Sequence, residues 1–78
     1  MVVRAHAEVT VEPFIEGRQG PHVQEIIKAF APLKPDIGPF GTSIEGGLEE
    51  VISLTNQGIQ AAMAAGATRV VVNMTVTP

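Results

Sequence analysis

The sequence contains no cysteine, no tryptophan and no tyrosine, and its aromatic residues are three phenylalanines. Without cysteine there is no disulfide, no thiol nucleophile and no zinc thiolate site, a composition suited to a reducing compartment. Without Trp or Tyr the core has to be built from Val, Ile, Leu, Ala and Met, with little aromatic help. Positive charge is scarce as well. Five Lys and Arg stand against eight Asp and Glu, for a net charge of −3, and no two basic residues adjoin. That excludes a nucleic-acid footprint, which needs several phosphates neutralised at once, and it disfavours an anionic membrane surface. No run approaches the ~20 apolar residues of a membrane span. The opening MVVRAHAEV lacks the basic and long apolar regions of a signal peptide. The expectation is a soluble, cytoplasmic protein.

What is present is patterned. The 78 residues suffice for a single domain, 1–78. A chain of this length buries only about 60–65% of its extended surface, so association with further copies would add to a marginal core. From Val3 to Glu12 apolar and polar residues alternate strictly, the mark of a strand with one buried face, and Pro13 ends it. Val23, Ile26, Ile27 and Phe30 then repeat as one stripe of a helix. Pro21 suits the first position of that helix and Pro32 closes it. His22, in the first turn, reads as exposed. Asp36 to Gly46 reads as a hairpin turning at Pro39-Phe40-Gly41, with Thr42 to Glu45 as its second strand. The first strand, which contains Pro35 and Gly38, belongs at a sheet edge.

A second helix follows from Leu48 to about Ala65, with Glu49 and Glu50 favourably placed in its first turn and Gly66 as a stop. Gly58 in its middle costs about 1 kcal/mol relative to Ala, which close packing on the sheet would offset. Thr68 to Thr77 is a β-branched strand. The order β-α-β-β-α-β with right-handed crossovers predicts an α+β, ferredoxin-like sandwich: a four-stranded antiparallel sheet of order 4-1-3-2, with both helices on one face.

This arrangement leaves one sheet face open. There strand 1 offers His6, Glu8 and Thr10, the Thr42–Glu45 strand offers Ser43 and Glu45, and the last strand offers Asn73 and Thr75. Neighbours at such spacings form one polar patch the size of a small heteroaromatic molecule. Each residue also has a simpler reading. His6 and Glu8 can be solvated strand residues, and Thr42 and Ser43 are good strand formers. His6 with Glu8 and Glu45 is an incomplete metal set, so no metal is expected. Glu8 and Glu45 lack the nucleophile and oxyanion donors that catalysis would need, so no catalytic residue and no enzyme are predicted. Asn73 interrupts an apolar run with a two-way hydrogen-bonding amide, which fits binding. The stretch GTSIEGG, 41–47, is no phosphate loop: Leu48 follows where Lys would have to stand, and Glu49 and Glu50 come next.

Pro39-Phe40-Gly41-Thr42-Ser43-Ile44-Glu45-Gly46 resembles the P-x-G-T-x-I-E-G signature of the YkoF-like thiamine- and hydroxymethylpyrimidine-binding proteins. Ala7 to Pro13 is similar to their first strand, and Gly66-Ala67-Thr68-Arg69-Val70 to the start of their last. The resemblance implies a ferredoxin-like domain that binds thiamine or its pyrimidine part, with no cofactor, and that assembles through its sheets as a homodimer or tetramer. By motif position it implies that Thr42, Ser43, Ile44 and Glu45 line the site, with Glu8 and Asn73 nearby. Phe14, Phe40 or an aliphatic side chain would have to cover the ring. Three readings of function stay open: a non-catalytic binding module, an interaction module that assembles through its sheet edges without a small ligand, and, least supported, an enzyme using Glu8 and Glu45.

Overall fold

The structure, a computed structural model, describes residues 2–13, 19–39 and 41–78. Its elements are β1 (Arg4–Glu12), α1 (Pro21–Phe30), a 3-10 turn (Ala31–Leu33), β2 (Asp36–Ile37), β3 (Thr42–Gly47), α2 (Leu48–Ala64) and β4 (Arg69–Thr77). The sheet runs β2-β3-β1-β4 with every pairing antiparallel. This is the expected order. No helix among the described residues is long and apolar enough to cross a membrane.

The alternation in β1 does what its period dictates. Ala5, Ala7, Val9 and Val11 are buried under the helices, while Arg4, His6 and Glu8 are exposed. Small residues at the centre of the sheet let the helices sit close, and Phe30, Ile26 and Val51 fill the layer between. On α1 the buried set is His22, Ile26 and Phe30, with Val23 half-buried beside them. His22 is thus not exposed. It falls four residues before Ile26 on the inward stripe, and its Nε2–H donates to the Pro13 carbonyl at 2.7 Å. That bond satisfies the ring's buried polar atom and ties α1 to the end of β1.

Gly58 also differs from expectation, for it packs on α1 and not on the sheet. A methyl group there would stand 3.1 Å from Ile26 Cδ1 and 3.2 Å from Phe30 Cε1. The two helices cross at this glycine. At the far end of α2, Gly66 has φ +104°. Its N–H reaches Met63 C=O, and the N–H of Ala67 reaches Ala62 C=O at 3.0 Å. These paired bonds form a Schellman stop, and Ala62 and Ala67 are both buried.

Thr55 sits in the same buried stripe of α2, and its Oγ1 has no hydrogen-bond partner among the described residues. A buried hydroxyl without a partner costs free energy that an apolar group of the same shape does not. Thr55→Val is therefore expected to stabilise the fold by about 1 kcal/mol, a rise in Tm of roughly 4–8 °C for a domain of this size. A lower Tm in a thermal melt would mean that the hydroxyl is satisfied after all.

The hairpin is more lopsided than its sequence suggests. β2 keeps only Asp36 and Ile37, whereas β3 runs on to Gly47, directly into α2. The reason lies in the flanks: Pro35 cannot donate to a ladder, and Lys34 takes a left-handed φ of 52°.

Candidate functional site

The register of the sheet turns the polar residues of three strands into two rows. In one, His6 stands between Glu45 on β3 and Thr75 on β4. In the other, Glu8 stands between Ser43 and Asn73. Residues facing one another across strands have Cβ atoms about 4.5–5.5 Å apart, and the rows are separated by about 6.5 Å along β1. His6, Glu8, Glu45, Asn73 and Thr75 are exposed and Ser43 is half-buried. These residues form the patch that period-two reading of the three strands places on the open face.

Thr42 and Ile44 are not part of it. Each is 3% exposed, and each points to the helix-covered side. Their place in the P-x-G-T-x-I-E-G stretch puts them next to the polar rows in sequence, yet alternate residues of a strand face opposite ways. In this arrangement they anchor β3 in the core and so fix the directions of Ser43 and Glu45. Phe14 and Phe40, the residues considered for stacking, lie outside the described residues.

The charge distribution is uneven. Glu12 and Arg69 pair at 3.4 Å at one end of the face, both largely exposed, so the bond contributes little to stability. Among the described residues Glu8 and Glu45 stand in no ion pair. Two carboxylates in no ion pair among the described residues, next to a carboxamide and two hydroxyls, favour a ligand that brings hydrogen-bond donors or a positive charge. No hydrogen bond links Ser43 to a histidine among the described residues, so no nucleophile–base pair is assembled here. Nor do three His, Asp or Glu groups converge as a metal set among those residues.

Two depressions of about 200 Å³ each flank the short β2. One is lined by Glu8, Thr10, Gly38, Pro39 and Gly41. A side chain at Gly41 would meet Glu8 Cγ at 3.4 Å and Thr10 Oγ1 at 3.5 Å, so the glycine keeps that depression open. The other is lined by His6, Leu33, Lys34, Asp36, Ser43 and Glu45, with a contribution from Ile44. A third, of about 510 Å³, lies at the start of α2 among Val3, Gly47, Leu48, Glu49 and Glu50. It is larger but lies apart from the two polar rows, and two glutamates at its rim oppose the anion that a helix N-terminus would attract. The pair beside β2 combines shape with the chemistry of the open face. Leu33, Lys34 and Asp36 are members that sequence reasoning missed. The available signal was the Pro35 that cuts β2 short.

A family model described as "Thiamine-binding protein" matches residues 7–77. No curated protein matches the sequence significantly. Solved structures that resemble the fold include a domain of unknown function from Bacillus cereus, at 19% identity and TM-score 0.69, covering 96% of this chain and 75% of that one. A Thermotoga maritima protein provisionally assigned to thiamine biosynthesis or salvage aligns at 22% identity and TM-score 0.66, covering 96% and 83%. A hypothetical protein from Methanocaldococcus jannascii aligns at 24% identity and TM-score 0.68, covering 96% and 79%. At these identities the structural likeness bears on the fold.

Proposed function

We propose, from the premise that this chain belongs to the thiamine-binding protein family, that its open sheet face binds thiamine or the hydroxymethylpyrimidine part of thiamine without transforming it. The observation that carries this reading is the pair of rows Glu45–His6–Thr75 and Ser43–Glu8–Asn73, whose two carboxylates stand in no ion pair among the described residues. Thiamine is a cation whose aminopyrimidine presents amino hydrogens beside ring acceptors. Carboxylates accept those hydrogens in charge-assisted bonds, and Asn73 can answer either polarity. The provisional assignment of the Thermotoga maritima neighbour to thiamine biosynthesis or salvage points the same way.

The working unit in this reading is a homo-oligomer, a dimer or a tetramer. β4 offers an outer edge of nine residues that no strand covers among the described residues, and its only charged residue is Arg69, at the very start. An edge without inward charge or proline is free to pair. The same edge, with Val71 and Val76 exposed, is the observation that favours the second reading, an assembly module with no small ligand.

Calorimetric titration of the purified protein with thiamine and with hydroxymethylpyrimidine separates the two. Micromolar or tighter binding is expected, together with a rise in Tm as ligand selects the folded state. No heat and no shift with either compound, from a folded oligomer, would sink the binding reading and leave the assembly module.

A further inference from the structure

β3 has six residues and β2 two, so β3 outruns its outer partner. Along an antiparallel strand, successive residues turn their N–H and C=O to alternate sides. Which residues of β3 turn outward follows from the turn and the ladder. The N–H of Gly38 donates to the C=O of Gly41 at 2.8 Å, and Asp36 stands opposite Ser43. Gly41, Ser43 and Glu45 therefore direct their backbone groups away from β1, towards the β2 side.

At Glu45 no strand is left to receive them. Pro35 has no N–H, and Lys34 at φ 52° turns the chain aside, its own N–H spent on Ala31 C=O at 3.0 Å. Among the described residues the Glu45 N–H and C=O have no backbone partner on that side. They open into the second depression beside β2, where Lys34 and Asp36 stand at the rim. Leu33 borders it, with its side chain packed over Gly46 against the core. A free strand edge ordinarily invites another strand. This one is only a few residues long and is hemmed in by the 3-10 turn, so it suits a small flat molecule better.

We propose that the backbone edge of Glu45 reads the heterocycle: its N–H donates to a ring nitrogen and its C=O accepts from the adjacent amino group of a 4-aminopyrimidine. The ring takes the place of a neighbouring residue, which would exchange the same two bonds across an antiparallel pair. This rests on the reading of the open face as an aminopyrimidine site and adds the rule of discrimination. A heterocycle with an amino donor beside a ring acceptor fits. Its 4-oxo counterpart, with a carbonyl beside a ring N–H, sets acceptor against acceptor and donor against donor. The second amino hydrogen points to the Glu45 carboxylate.

The test uses uniformly ¹⁵N-labelled protein titrated with thiamine and with its 4-oxo analogue, with affinities from calorimetry. With thiamine, the Glu45 amide proton is expected to move downfield and to exchange more slowly with solvent. The analogue is expected to bind at least about tenfold more weakly, since two hydrogen bonds are replaced by two mismatched contacts. Should thiamine bind while the analogue binds equally well, or while the Glu45 amide stays still as other amides move, this edge does not read the ring, although the proposed function stands. If thiamine does not bind at all, both fall.

Discussion

Phe30→Ala is expected to leave the isolated chain largely unfolded or close to it. Phe30 is fully buried and is the largest side chain of the core. Truncating a buried Phe costs about 3–5 kcal/mol, the transfer term plus the cavity left behind. A domain of this size has a total stability on the order of 4–12 kcal/mol, with small single cores at the low end. Local packing argues for the upper part of the cost. The ring edge lies against Gly58 of the facing helix, and a glycine has no side chain to swing into the void. The two helices would have to move together to close it, and the side chains of Ile26 and Ala29 already stand close to Gly58 at that crossing. A urea titration followed by circular dichroism is the check. A loss below about 1 kcal/mol relative to wild type would show that the helix pair relaxes freely. Phe30→Leu, which keeps most of the volume, should retain a cooperative transition and separates a cavity effect from general intolerance at the position.

That crossing also marks a limit of what sequence patterning can tell. A glycine in mid-helix signals close approach but not of what: Gly58 reads equally well against a sheet or a helix, and only the packing of α1 decides. His22 is a similar case. A polar residue in a first helical turn is read as exposed because burial would orphan its ring nitrogens, yet Pro13, a neighbour only after folding, accepts that hydrogen bond. By contrast the order and direction of the strands were legible, since alternation in β1 and β4 and the helical stripes between them leave few ways to cover one face. The two rows of the open face followed from the same alternation. The strand edge at Glu45 did not, because it depends on where a neighbouring strand stops. Proline at position 35 hints at that end, but the left-handed turn at Lys34 completes it, and lysine carries no sequence signal for positive φ. Thr42 and Ile44 show how a motif can mislead: a contiguous signature runs through both faces of a strand, and here it joins two core anchors to the two residues they aim.

Glu45→Ala is expected to weaken thiamine binding by about tenfold to a hundredfold, the range for losing a hydrogen bond to a charged group. The side chain is exposed and in no ion pair among the described residues, so its removal should leave the fold and the Tm of the free protein nearly unchanged. Glu45→Gln keeps an acceptor oxygen without the charge and should fall between. Calorimetry on the three proteins gives the ranking, and equal affinities would remove the carboxylate from the site. A stronger discrimination comes from crossing the variant with the 4-oxo analogue. If the carboxylate holds an amino hydrogen while the backbone of the same residue holds the rest of the ring edge, the analogue has already lost the carboxylate's partner. Glu45→Ala should then cost far less with the analogue than with thiamine, a coupling that a double cycle measures directly. If the carboxylate acts only as a charge facing the thiazolium cation, the substitution costs the same with both ligands, and the cost shrinks with added salt for both alike. The second pattern would move the recognition of the ring away from the carboxylate and leave it with the Glu45 backbone and Asn73. Their contributions are then separated by Asn73→Ala and by the shift of the Glu45 amide.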